Sequence, residues 1–178
     1  MTSKLKDISP KFLKDWLLDS GLESDLDYLS GSSLEATIDA SWFRRMKQAP
    51  TMLKICIIYS GMHKWVAAEV SERMDLPIEI LESDLGILGG LSEGEGELLS
   101  VGDTEKILRL CSLIGHVGII VEESGLCTDF DAASWFSAWL YSPLPAIASD
   151  LPARLNGTSE GIDYLRQQVD AMQSAAYL

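Results

Sequence analysis

The stretch WLYSPLPAIASDLPARLNGTSEGIDYLRQQVDAMQSAAYL, residues 139–178, alternates helix breakers with helix formers in an order that sets the architecture. Pro143 and Pro145 are incompatible with a helix interior, so the helix carrying Trp139 has to stop before them. In SDLPARLNG, Asp150 can cap a single turn. Pro152 falls in that first turn, where no intrahelical N–H is required, and Asn156 with Gly157 can close the turn in a left-handed conformation. Thr158 then caps a final helix, Glu160 and Asp163 complement the positive end of its dipole, and Ile162, Leu165, Val169 and Met172 line one face. Just upstream, DFDAASWFSAWL offers Asp129 as a cap and sets Ala132, Trp135, Phe136, Trp139 and Leu140 at i, i+3, i+4, i+7 and i+8. The tail thus predicts two helices packed face to face across a proline-broken turn.

Working back towards the N-terminus, the same signals recur. SPKFLKDWLLDSGL has Ser9 as cap, Pro10 at the first helical position, an apolar stripe of Phe12, Leu13, Trp16 and Leu17, and Gly21 as stop. SDLDYLSGSS reads as a polar connector, and SLEATIDASWFRRMKQAP as a second helix ending before Pro50. The apolar run TMLKICIIYS fits either a buried strand or a buried helix, and its helical neighbours favour helix. KWVAAEVSERM places Trp65, Ala68 and either Val66 or Val70 at helical spacing, and LPIEILESDLGI adds a short helix with Ile78, Leu81 and Leu85 on one side. LGGLSEGEGELLSVG, acidic and glycine-rich, reads as a loop or a poor, frayed helix, and lacks the ligand spacing of a calcium loop. A long helix opening at Asp103 carries Ile107, Leu110, Cys111 and Ile114, with His116 as a packed histidine among apolar neighbours. The fold class predicted is mainly α.

Composition restricts the function. Of 178 residues 47% are hydrophobic, enough for a sizeable core, and the formal net charge is −13. Residues 1–60 carry eight basic and eight acidic residues; residues 61–178 carry six and nineteen, so the whole imbalance lies beyond Gly61. Such a surface repels phosphate polymers and anionic lipid, which disfavours nucleic acid as partner. No window approaches the roughly 20 apolar residues of a membrane span, and the expectation is a cytoplasmic protein. Cys56, Cys111 and Cys127, odd in number and set among apolar residues, read as reduced core thiols. No phosphate loop, paired metal-spaced cysteines, zinc-protease histidine pair or nucleophile–base set occurs, so no enzyme, cofactor or metal is expected.

The series DAASWFSAWLYSPLPAIASDLPARLNGTSEG, followed by a helix and AAYL, resembles the toxin-binding domain of the Xre, MbcA and ParS antitoxin family. The matching positions are Asp131, Ala132, Ala133, Trp139, Leu140, Pro143, Pro145, Ala146, Pro152, Leu155, Thr158, Glu160, Gly161 and Tyr177. A weaker likeness reaches back to Gly61, where MDLPIEILESDLGI and DTEKILRLCSLIG look like the middle and final helices of a helix-turn-helix. There, LGGLSEGEGELLS stands where the family has a basic recognition helix, and glycine with glutamate opposes both base and phosphate contacts. The organisation implied is a helical extension over residues 1–60, a degenerate helix-turn-helix-like domain over 61–124 and a toxin-binding domain over 125–178.

That resemblance implies a type II antitoxin whose partner is a RES-domain toxin that consumes NAD or transfers ADP-ribose. The small residues of AMQSAAYL permit close approach, and Tyr177 supplies a low-entropy anchor, so this end can plug a catalytic cleft. The expected toxin contacts are Gln173, Ser174, Ala175, Ala176, Tyr177 and Leu178, whose terminal carboxylate can meet pyrophosphate-binding cations, with Arg166 and Asp170 as rim contacts. The expected assembly is a homodimer within a toxin–antitoxin complex. The competing readings are a DNA-binding autoregulator, contacting its promoter through Arg44, Arg45 and Lys47 of RRMK or through residues 61–124, and a non-enzymatic helical adaptor.

Overall fold

The computed structural model describes residues 11–33, 35–87, 90–91, 98–125 and 130–175. Among the described residues there are nine α-helices, two short 3-10 turns and no strand beyond isolated bridges. The helices are α1 (Lys11–Ser20), α2 (Glu23–Leu29), α3 (Ala40–Gln48), α4 (Thr51–Ser60), α5 (Lys64–Arg73), α6 (Ile78–Leu85), α7 (Val101–Ser124), α8 (Ala132–Leu140) and α9 (Ser159–Ala175). The 3-10 turns, Pro145–Ile147 and Pro152–Leu155, both lie between α8 and α9. The mainly helical class read from the sequence is therefore the one observed.

α7 is the axis. Its 24 residues make it about 36 Å long at 1.5 Å per residue. α3 packs along it more extensively than any other pair of helices, and α4, α8 and α9 also rest on it. The close crossing of α3 depends on Gly115, where a β-carbon would overlap the carbonyl oxygen of Phe43 and lie 2.7 Å from its carbonyl carbon. Around this axis runs one continuous core. It takes Leu13 and Leu17 from α1, Trp42, Phe43 and Met46 from α3, Ile107, Leu110, Cys111 and Ile114 from α7, Phe136 and Leu140 from α8, and Leu165 and Val169 from α9. Residues from all three stretches, 1–60, 61–124 and 125–178, contribute to it.

The run TMLKICIIYS is helical. Pro50 precedes it, Gly61 at φ 77° ends it, and Leu53, Cys56 and Ile57 are buried, so the short β-branched run is a core helix. Gly21, at φ 69°, stops α1 as its position indicated, its N–H donating to the carbonyl of Leu17 at 3.2 Å. Cys56 and Cys111 are buried and unbridged, and burial pushes both thiols up from their ordinary value, which suits inert core positions. Cys127, the proposed caps Ser9 and Asp129, and most of the glycine-rich loop fall outside the described residues.

Several local expectations are corrected. The supposed polar connector SDLDYLSGSS contains α2, because Leu26 and Leu29 turn into the core from an otherwise acidic segment. The second helix begins at Ala40 rather than among residues 33–36: Asp39 accepts the Trp42 N–H at 2.9 Å and so fixes the start. On α5 the buried face is Val66, Ala67 and Val70, and Trp65 and Ala68 are exposed. The Trp65 ring instead lies over Gly31, with Nε1 donating to the Gly31 carbonyl at 3.0 Å. α7 opens at Val101, two residues before Asp103, because Ser100 accepts the Asp103 N–H at 3.1 Å and donates to its carboxylate at 2.7 Å. α8 and α9 lay their apolar faces chiefly on α7 rather than on each other.

Candidate partner-binding surface

The surface to which the tail pattern points is built from α8, the connection 141–158 and α9. α8 is started by Asp131, whose carboxylate accepts the N–H groups of Ala133 and Ser134, each at 3.0 Å. It inserts Ala132, Ala133, Phe136 and Leu140 into the core. Trp135 and Trp139 stand one turn apart at the edge of that face, stacked with ring centroids 6.1 Å apart and planes 5° from parallel, and Phe130 tilts against Trp135. At the end of α8 the Tyr141 hydroxyl donates to Asp84 of α6. Burial, together with that carboxylate, holds the Tyr141 phenol well above its ordinary value; burial likewise raises Asp84, while the phenol's hydrogen bond works the other way.

Pro143 and Pro145 are exposed, and the chain between them and Asp150 forms a small closed loop. Leu144 N–H donates to the Asp150 carbonyl and Ser149 N–H to the Leu144 carbonyl, both at 3.0 Å. Ala148 and Ser149 occupy the left-handed region, at φ 56° and 62°. The reversal expected at Asn156 and Gly157 is thus made eight residues earlier: Asn156 is right-handed at φ −62°, and Gly157 is not at positive φ. The physical reason is burial. Asn156 and Ala153 are almost fully inside, so the Pro152–Leu155 turn runs on into the Thr158 cap without reversing.

α9 is anchored at its start and along two-thirds of its length. The Thr158 hydroxyl accepts the Gly161 N–H at 3.0 Å, and Gly161 itself is packed against the Leu155 carbonyl. Glu160 is held below the ordinary carboxylate range by hydrogen bonds at the helix start, from its own backbone N–H and the Ser159 hydroxyl. Ile162, Leu165 and Val169 are buried, each a contribution of roughly 1.5–3 kcal/mol. Arg166 and Asp170, expected as rim contacts, pair with each other at 3.4 Å. Asp170 also meets the imidazole of His116 on α7 at 2.6 Å. His116 is therefore a polar link from α7 to α9 and not a histidine packed among apolar groups, an arrangement set by the helix crossing, with no local signal in the sequence. Beyond Asp170 the anchoring fades: Ala171 and Met172 are exposed, Met172 by 36%, so Met172 lies at the edge of the predicted apolar face. The helix continues to Ala175. The side chains of Gln173, Ser174 and Ala175, and residues Ala176, Tyr177 and Leu178 entirely, lie outside the described residues.

The basic trio of α3 is dispersed. Arg44 pairs with Glu122 at the end of α7, whereas Arg45 pairs with Asp25 at 2.6 Å and lies 4.3 Å over the Tyr28 ring on α2. Lys47 faces a cleft beside α9 instead. Among the described residues no group of three or more His, Cys, Asp and Glu could hold a metal ion, and no helix is long and apolar enough to cross a membrane.

The fold and this surface define a helical protein whose C-terminal part is segmented by prolines. No family model matches the chain, and no solved structure matches it. Over 79 residues it is 40% identical to the Prs ADP-ribosylating antitoxin of Sphingobium sp. (strain YBL2), a similarity covering 44% of this chain and 50% of that protein. The chain thus matches about half the length of this curated relative.

Proposed function

We propose that this protein is an antitoxin, a non-enzymatic stoichiometric inhibitor that binds a cognate toxin. The observation that carries the reading is the 40% identity to a protein named as an antitoxin. The C-terminal pattern supports it: Asp131, Thr158 and Gly161 have defined structural work, as caps and as a close-approach glycine. In this reading residues 125–178 are the toxin-binding unit of an Xre/MbcA/ParS-like chain. Residues 61–124 keep the packing of a degenerate helix-turn-helix without its DNA contacts. The protein works in the cytoplasm, as a homodimer within the complex.

The partner we propose is a RES-domain toxin that consumes NAD or transfers ADP-ribose, and the mechanism is exclusion. α9 is fixed to α7 through Ile162, Leu165, Val169 and the His116–Asp170 bond, while Ala171 and Met172 beyond them are exposed. A helix held in this way enters the complex already ordered as far as Asp170, which lowers the ordering cost of binding. Residues 173–178 would fill the dinucleotide cleft, with Arg166 and Asp170 at its rim. The test is inhibition of a RES-domain toxin from the same genome by full-length protein and by a form lacking residues 173–178. Loss of inhibition in the shortened form is expected; full inhibition by it would refute the plug.

A further inference from the structure

A second site lies beside α9 and shares Arg166 with the proposed toxin-facing rim. Between α3, α4, α7 and α9 there is a cleft of about 200 Å³ whose wall carries four cations, Lys47, Lys54, Arg109 and Arg166, and one carboxylate, Asp163. In a chain with 14 basic residues and a net charge of −13, this is a marked concentration of positive charge. Two of the four come from the charge-balanced first 60 residues and two from the acidic remainder, so the cluster exists only in the folded molecule.

The cations are unequally compensated. Arg109 is paired with Glu105 at 2.6 Å, and Arg166 with Asp170 at 3.4 Å and Asp163 at 4.0 Å. Neither Lys47 nor Lys54 forms an ion pair among the described residues. The Lys54 ammonium is held in place by the Lys47 carbonyl at 2.7 Å, which satisfies one of its three donors. Burial, and then the neighbouring cation, depresses both lysines: Arg166 acts on Lys47, with Asp170 opposing, and Lys47 acts on Lys54. Ser112 also borders the cleft, but its hydroxyl oxygen is buried beneath the surface, so the polar groups that face the opening are the cations.

We infer that this cleft is a binding site for a phosphate group on a small molecule, gripped by Lys47 and Lys54 with Arg109 and Arg166 at its wall. A phosphate monoester brings a charge of about −1.5 to −2 and three strong acceptor oxygens, which matches two ammonium groups that form no ion pair. A carboxylate, with a single charge and two oxygens, leaves one lysine uncompensated. The volume is below the roughly 300 Å³ at which pockets for drug-sized ligands begin, so the phosphate enters and most of any attached molecule stays outside. A nucleic-acid backbone is repelled by the rest of the surface. Bound phosphate would tie α9 to α3 and α4, steadying the helix from its second side.

The test is a titration of the full chain with sodium phosphate, with glycerol phosphate and with sodium chloride at matched ionic strength, followed by amide chemical shifts and by the thermal midpoint. Saturable shifts confined to the neighbourhood of Lys47, Lys54, Ser112 and Arg166, with a midpoint rise that chloride does not reproduce, are expected. Tighter binding of phosphate than of glycerol phosphate identifies free phosphate as the ligand, and the reverse order identifies a phosphomonoester. The double variant K47M/K54M should keep its chloride midpoint or raise it, since mutual repulsion is removed, and should bind at least about tenfold more weakly. A response that does not saturate by about 10 mM, that chloride reproduces, or that K47M/K54M leaves at wild-type strength overturns the proposal.

Discussion

Gly161 sits so close to Leu155 that a β-carbon on it would overlap the Leu155 carbonyl oxygen and lie 2.8 Å from the carbonyl carbon. Backbone therefore packs on backbone where the Pro152–Leu155 turn meets the first turn of α9, and neither side can yield by rotating a side chain. Gly161→Ala is expected to destabilise the protein by about 1–3 kcal/mol, read as a lowered thermal midpoint, through overpacking at this contact. Gly118→Ala on α7 is the matched control. A β-carbon there meets only the Ala132 methyl, at 3.6 Å, and relief of the glycine penalty should stabilise by about 0.5–1 kcal/mol.

Asp39 opens α3, the helix most extensively packed on α7. Burial pushes its carboxyl upward, but hydrogen bonds from the Ser41 hydroxyl and from the Trp42 and Ser41 N–H groups outweigh that and bring it below its ordinary value of 3.8. A carboxyl lowered by folding stabilises above its unfolded pKa, and that contribution is lost as pH falls through the lowered, folded value. Asp39→Ala should cost about 1 kcal/mol at neutral pH in chemical denaturation. The gap between variant and wild type should close only below the ordinary carboxylate value. A gap that stays constant down to the acid transition would contradict the cap.

The Tyr141–Asp84 hydrogen bond joins the end of α8 to α6 with the opposite pH logic. Burial raises Asp84, so its charged form is costly in the folded state, and the phenol reduces that cost. Removing the donor by Tyr141→Phe should raise Asp84 further and destabilise by about 1–2 kcal/mol at neutral pH. The sign follows from linkage: the penalty belongs to the carboxylate, so it shrinks as pH falls towards the raised Asp84 value and the group is protonated. Denaturation of wild type and variant at pH 7 and in mild acid checks this; a difference that grows on acidification would count against it.

The acidic surface bears on how a toxin would be met. A cleft that binds an anionic dinucleotide is expected to be electropositive, so association with a chain of net charge −13 should be steered electrostatically. Stopped-flow measurement should show the association rate constant falling by about tenfold or more from low to high ionic strength, with dissociation changing much less. A rate indifferent to salt would remove steering from the proposed mechanism.

What the sequence determined by itself is the helical class and the punctuation. The glycine stop at Gly21, the prolines between α8 and α9, the Thr158 cap and the apolar faces of α7 and α8 depend on each residue's own backbone freedom, hydrogen-bonding capacity and spacing. These are local properties, and position along the chain suffices to read them. α2 escaped that reading because its helix is imposed by the core that Leu26 and Leu29 pack against, and the exposed left-handed pair Ala148 and Ser149 because it is set by the hydrogen bonds that close the 144–150 loop. Only the tertiary structure decided that α8 and α9 lie on α7, that His116 reaches Asp170, and that Lys47 and Lys54 share a cleft with Arg109 and Arg166. The reason is that burial and charge act through space. Groups separated by more than a hundred residues, such as Lys47 and Arg166, interact only once a common core has set the distance between them.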